Sequence, residues 1–284
     1  MKTLKITQKY DNKKLNTVLL KEFPNLSTNM LYKALRKKDI KVNDVRTSEN
    51  IVVHTGDILK IFISDEFLLA PQINFDIVFE DSNIIIVNKP SGLEVTGENS
   101  LEELLSSSLK YKVFPCHRLD RNTKGLVLFA KNEKAQEILF EKFKNHEIEK
   151  HYLAEVYGIP SKKHQILTAY LFKDSKKSMV YISDEPKKGY QKIVTEYTVL
   201  ASDKHNNVSK LEVILHTGRT HQIRAHLAHI GYPIIGDGKY GKNEINKKFN
   251  KKTQELTSFY LKFNFSSPSG FLDYLNSKEI KLAL

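Results

Sequence analysis

Residues 117–130 read HRLDRNTKGLVLFA: the polar run His117-Arg118-Leu119-Asp120-Arg121-Asn122-Thr123-Lys124-Gly125 passes without a spacer into the apolar run Leu126-Val127-Leu128-Phe129-Ala130. A short continuous apolar run bounded by turn residues is the pattern of a strand covered on both faces. A loop carried by such a strand has a rigid base, and can project Asp120 into a cleft where the neighbouring cations would collect a phosphate backbone. The competing reading is an exposed charged turn in which Asp120 pairs with Arg118 or Arg121.

Working outward, Ile84-Ile85-Ile86-Val87 is a second run of this kind, closed by the turn Lys89-Pro90-Ser91-Gly92. Ser100 and Glu103 stand at capping-box spacing ahead of Leu104 and Leu105, and residues 133–143 fit a further helix. The β-rich segments 194–200 and 208–215 flank the polar loop 203–207, which suggests a hairpin. A second polar segment, His216-Thr217-Gly218-Arg219-Thr220-His221-Gln222-Ile223-Arg224-Ala225-His226, leads into a helix whose apolar stripe is Ile223, Leu227 and Ile230, stopping at Gly231. Arg224 lies beside that stripe about one turn into the helix, where it can approach a buried carboxylate from beneath the cleft. His216, His221, His226 and His229 invite a metal reading. Their spacing matches neither a zinc finger nor a His-Glu-x-x-His helix, so no metal is expected.

Toward the amino terminus, Leu15, Leu19, Leu20 and Phe23 recur at helical spacing until Pro24. Ser27 or Thr28 caps a second helix, with Met30, Leu31, Ala34 and Leu35 on its apolar face and Lys33, Arg36, Lys37 and Lys38 filling the rest. The segments 40–44 and 58–63 read as short strands, each next to a turn. The division expected is a small α/β module over residues 1–65, a linker over 66–74 around Pro71, and a larger domain over 75–284. The fold class is α+β. There is no internal repeat, and the lysine- and asparagine-rich tract 243–252 reads as an exposed loop or helix.

The 284 residues are 40% hydrophobic and 27% charged, an ordinary globular balance, and the formal charge of +12 favours a polyanionic partner, nucleic acid or an anionic membrane. A lysine-rich proteome would give the same charge without any such partner. No apolar stretch approaches the roughly 20 residues of a bilayer span, and MKTLKITQKYDNKK lacks the apolar core of a signal peptide. The single cysteine, Cys116, cannot form an internal disulfide. A cytoplasmic protein without a membrane partner is expected. The sequence carries no signal for a protein partner.

Taken together the motifs resemble the RluA-type pseudouridine synthases over nearly the whole chain. The residues that carry the resemblance are Glu80-Asp81-x-Asn83 through Asn88-Lys89-Pro90-x-Gly92, His117-Arg118-Leu119-Asp120-x-x-Thr123-x-Gly125, Lys150-x-Tyr152-x-Ala154-x-Val156-x-Gly158, Thr217 to Arg224, and Gly236-Asp237-x-x-Tyr240-Gly241. Residues 1–65 are similar to the S-four-type RNA-binding module that often precedes this catalytic domain. Two departures stand out: Lys124 where the family commonly has serine, and Leu256-Thr257-Ser258 in place of a frequent Leu-His-Ala.

The resemblance implies a mixed, largely antiparallel sheet, isomerisation of uridine to pseudouridine without a cofactor, and an RNA partner, ribosomal by analogy with module-bearing members, transfer RNA being the alternative. It implies Asp120 as the catalytic carboxylate, Arg224 as the ion-pair partner that holds it, and Tyr152 as the ring that stacks on a flipped uracil and offers a hydroxyl for the last proton removal. Arg118 would fill the gap left by the extruded base. His117, Arg219 and His221 join it as RNA contacts, and Lys33, Arg36, Lys37 and Lys38 grip backbone phosphates. Readings from other classes are an RNA-binding assembly factor without activity and a metal-dependent RNA hydrolase built on the histidines.

Overall fold

The computed structural model describes residues 1–23, 26–68 and 75–283 and divides into two compact units, Met1–Ile73 and Asn74–Leu284. Pro24 and most of the expected linker, residues 69–74, lie outside the described residues.

The first unit runs β1 (Lys2–Lys5), β2 (Lys13–Lys14), α1 (Leu15–Glu22), α2 (Thr28–Arg36), β3 (Ile40–Val42), β4 (Val45–Thr47), β5 (Val52–Val53), β6 (Ile58–Ile61) and α3 (Asp65–Leu68). The Ser27 hydroxyl accepts from Met30 N–H and so caps α2, as the sequence suggests. Leu15, Val18 and Leu19 of α1 and Leu31, Ala34 and Leu35 of α2 pack on Ile40, Leu59 and Ile61 of a four-stranded sheet ordered β1-β6-β3-β4. Val18, rather than Leu20, completes the buried stripe of α1 because 15, 18 and 19 share one helical face. Burying these faces leaves Lys33, Arg36, Lys37 and Lys38 exposed together.

The second unit begins with β7 (Asp76–Glu80), β8 (Ile84–Lys89), α4 (Leu101–Leu109), β9 (Phe114–Pro115), β10 (Lys124–Ala130), α5 (Glu133–Lys144) and β11 (Ile148–Tyr157). It continues with β12 (His164–Asp174), β13 (Met179–Ser183), β14 (Gln191–Asp203), β15 (Val208–Leu215), α6 (Gln222–His229), α7 (Asn243–Lys248), β16 (Leu256–Phe263) and β17 (Glu279–Lys281). Its sheet is ordered β13-β12-β14-β15-β11-β16-β10-β8-β7, with β9 on β10 and β17 on β16. The β10–β16 pair is parallel and the other pairs along it are antiparallel.

Residues on β8 and β10 alternate between two cores. Ile85, Val87, Val127 and Phe129 meet Leu101 and Leu105 of α4 on one side, while Ile84, Ile86, Leu126 and Leu128 meet Ala135 and Leu139 of α5 on the other. That double cover is why both strands are continuously apolar. Each such side chain contributes about 1.5–3 kcal/mol on burial, so the sheet centre is a stiff mount for the loop that precedes β10. The capping box of α4 is offset by one residue: Ser100 Oγ faces Glu103 N–H, but the Glu103 carboxylate accepts from Asn99. The hairpin β14–β15 forms in antiparallel register from Thr195↔Leu215 to Asp203↔Val208.

Helix α6 differs from the amphipathic expectation. Its residues Gln222 to Leu227 are all buried, because it lies against β13 and β14 as well as the main core, and its polar side chains find partners inside. No helix among the described residues is long and apolar enough to cross a membrane.

Candidate active site

Two loops build the site. The first, residues 117–123, is fixed at many points. Lys89, fully buried at the end of β8, donates to the carbonyls of Pro90 (2.9 Å), Leu93 (2.7 Å) and Arg121 (2.9 Å). Gly92 N–H also donates to the Arg121 carbonyl, and Arg121 Nε returns a bond to the Gly92 carbonyl. Gln254 donates to the buried Thr123 hydroxyl at 2.7 Å. Gly125 lets β10 approach β16: a Cβ there would lie 2.0 Å from the Ser258 carbonyl oxygen, and its φ of +112° excludes side chains in any case. Leu119 is buried, and Asp120 beside it keeps 22% of its side chain exposed.

The second loop, 216–221, is clamped by Gln222, which is 2% exposed. Its Nε2 donates to the Val194 carbonyl and Thr195 Oγ1, and its Oε1 accepts from Thr217 Oγ1 and Arg219 N–H. Helix α6 then delivers Arg224, whose Nη1 donates to Asp120 Oδ2 at 2.9 Å. Nε and Nη2 are taken by both oxygens of Asp237, at 2.7 and 2.9 Å. Burial opposes the charge of Asp237, but Arg224 together with the N–H groups of Lys239 and Tyr240 holds its carboxyl below the usual range. The guanidinium therefore has one wholly buried carboxylate to orient it and one at the cleft to serve.

Asp120, Arg118, Tyr152, Arg219, His221 and Arg224 line one pocket. Arg118 and Arg219 stand exposed at its rim, while Tyr152 is 5% exposed. Burial first, and the negative Asp120 second, push the Tyr152 phenol up, so it is a neutral hydroxyl. His221 sits at the start of α6 with φ +54°, a left-handed conformation unusual outside glycine. Tyr240 Oη accepts from Val180 N–H and hydrogen-bonds His221 Nδ1 at 2.8 Å, and the other ring nitrogen of His221 lies 3.9 Å from Asp120 Oδ2.

His117 is placed differently from the expected RNA contact. Its Nε2 accepts the Leu128 N–H at 3.0 Å, its Nδ1 is buried, and its ring packs 4.8 Å from that of Phe143. Burial, then the charge of Lys150, push it down to about 3, so the ring is neutral and ties the loop to β10. The other histidines scatter: His216 bonds Glu196, His226 bonds Thr195, and His229 bonds Asp184. Among the described residues no group of three or more His, Cys, Asp or Glu side chains is arranged to hold a metal ion. Sequence reasoning assigned no role to Asp237, Lys89 or Tyr240. The motif Gly236-Asp237-x-x-Tyr240 and the lysine that ends a strand opening with four apolar residues were the available signals.

A family model described as RNA pseudouridylate synthase matches residues 83–229. The chain is 35% identical over 256 residues to a Rickettsia felis protein named ribosomal large subunit pseudouridine synthase C, covering 82% of this chain and 83% of that one. It is 31% identical over 292 residues to a Mycoplasma capricolum protein named uncharacterized RNA pseudouridine synthase, covering 95% and 93%. The solved structure of human RNA pseudouridylate synthase domain containing 1 is similar at a TM-score of 0.60 and 25% identity, over 74% of this chain and 90% of that one.

Proposed function

The chain belongs to the RNA pseudouridylate synthase family, and from that membership we propose that it isomerises uridines of large-subunit ribosomal RNA with Asp120 as its catalytic carboxylate. The observation that carries the site assignment is the Asp120–Arg224 pair, at 2.9 Å, in a pocket walled by Tyr152. The ribosomal target rests on the name of the relative at 35% identity.

The reaction breaks the bond from uracil N1 to ribose C1′, turns the base, and forms a bond from C5 to C1′. The C5 proton is lost, N1 ends protonated, and there is no net redox change. Asp120 begins it as a carboxylate, either by attack on the substrate or by removing a sugar proton. Arg224 orients that carboxylate, and Asp237 orients Arg224. The neutral Tyr152 ring provides a face for uracil, and its hydroxyl takes part in the final loss of the C5 proton. Arg118 at the rim is free to enter the stack that the flipped base has left, offsetting a cost of a few kcal/mol. The first unit, with Lys33, Arg36, Lys37 and Lys38 exposed on one surface, reads as an S-four-type module that grips RNA backbone. With a ribosomal target, the same reading puts the protein in the cytoplasm.

The test is to map pseudouridines in large-subunit ribosomal RNA from cells with and without this gene. Loss of a site, restored by the wild-type gene but not by Asp120→Asn, is expected. An unchanged ribosomal map with pseudouridine lost from transfer RNA instead would overturn the target.

A further inference from the structure

Two lysines of the second unit, Lys89 and Lys142, are buried, and both are satisfied within the protein. Lys89 has its three carbonyls. Lys142, 3% exposed, donates to Glu147 Oε2 and Ser267 Oγ, both at 2.8 Å. Lys150 is partly buried and has neither a hydrogen-bond acceptor nor a carboxylate partner among the described residues. Its Nζ lies over the Phe143 ring at 5.0 Å. Burial alone lowers its ammonium to about 8.

The position of this cation is informative. Lys150 precedes Tyr152 by two residues on β11, so both side chains leave the same side of the strand, and both line the pocket with Asp120. Lys150 also lines the adjoining cleft, together with Lys144, His216 and Arg219. It therefore stands where the two cavities join. Gly218 borders both, with a φ outside the left-handed region, and a Cβ there would be 3.8 Å from Nζ. A side chain at 218 would stand against the ammonium.

An ammonium partly withdrawn from water, with an aromatic face beside it and no carboxylate within reach among the described residues, gains most when an anion meets it. Asp120 is engaged by Arg224. RNA supplies the missing anion, because a uracil cannot enter the pocket without carrying its own backbone to the rim. We propose that Lys150 is a positioning residue that binds a backbone phosphate flanking the target uridine as the base enters between Asp120 and Tyr152. This rests on the RNA pseudouridine synthase reading of the pocket. Lys150 in this role contributes affinity for the backbone beside the target, while Asp120 and Tyr152 fix the pose of the base once it is bound.

The experiment uses the full chain, its Lys150→Met and Lys150→Arg variants, and an RNA oligonucleotide spanning the mapped uridine. The RNA is prepared unmodified or with one neutral methylphosphonate on the 5′ or the 3′ side of that uridine. Lys150→Met should weaken binding and raise KM about tenfold, leave single-turnover conversion at saturating RNA within about twofold, and not lower the thermal midpoint, because it removes an unpaired charge. Lys150→Arg should restore most of the affinity. One of the two methylphosphonates should weaken wild-type binding by a similar factor and leave Lys150→Met no worse. Losses that multiply for both methylphosphonates, unchanged binding by Lys150→Met, or a defect confined to conversion at saturation would each overturn the proposal. Binding is read apart from conversion, so an RNA bound but never converted counts against the pseudouridine synthase reading and still tests Lys150.

Discussion

Asp237 takes two of the hydrogen bonds of Arg224 and leaves the third for Asp120, so the cleft carboxylate is oriented by a wholly buried one through a shared guanidinium. Asp237→Asn keeps the shape but removes half of that clamp. It should lower the single-turnover rate at saturating RNA by about 100-fold, the usual cost of misplacing a reacting group by about an ångström. RNA affinity should change little. A rate within twofold of wild type would mean that Asp120 alone suffices to orient Arg224.

Asp120→Asn should abolish conversion while folding and RNA affinity survive, because an amide serves neither as nucleophile nor as base. Single-turnover assays with radiolabelled uridine, run beside binding and thermal unfolding, make the check. Were Asp120 only an exposed ion pair, its loss would cost at most about 1 kcal/mol of stability and leave turnover intact.

Neutralising Lys33, Arg36 and Lys37 together should weaken RNA binding and flatten its dependence on salt, lowering the slope of log K against log salt by roughly 2 to 3. Chemistry at saturating RNA should persist, since these exposed residues belong to the first unit and the pocket to the second. Equal slopes for variant and wild type would remove α2 from the RNA-binding surface.

Acid should unfold the protein in a window set by His117 and His226. Burial holds their folded values at about 3 and about 4, below the ordinary 6.5, so the unfolded chain takes up protons first. Their contribution is complete above about pH 6.5 and is lost as pH falls toward 4 and then 3. Each accounts for up to about 1.4 kcal/mol per pH unit. Urea midpoints measured between pH 7 and 5 should fall less steeply for a His226→Gln variant. A slope equal to wild type would mean that His226 is free to charge in the fold.

Gly125→Ala should be far worse than an ordinary loop substitution. The φ of +112° and the 2.0 Å approach to the Ser258 carbonyl require β10 to part from β16, at a cost of about 3 kcal/mol or more. Thermal unfolding and single-turnover rate should fall together. An unshifted melting temperature would contradict the contact.

The doubly covered strands, the caps of α2 and α4, the hairpin and the loop that carries Asp120 were legible because each depends on neighbours within a few residues. Arg224 as the partner of Asp120 came from resemblance, since 104 residues separate the two. What escaped the sequence depends on contacts that no periodicity encodes. His117 looks polar and available but is spent on a backbone N–H of the strand it precedes. Asp237 sits among glycines, where an acidic residue ordinarily marks a surface turn, yet it is buried and bonded to Arg224 of α6. The two departures from the family pattern, apart in sequence, are cross-strand partners: Lys124 opposes Thr257, and Gly125 opposes Ser258.

That short parallel pairing sets an order of events in the life of the chain. The strand that bears the Asp120 loop is closed on one side by a strand made more than a hundred residues later, so the proposed catalytic side chains have all been synthesised before that side of the sheet exists. A ribosome that released the chain just short of Leu256 would yield a protein with Asp120, Tyr152, Arg224 and Asp237 all present and the β16 side of the Asp120 loop left open.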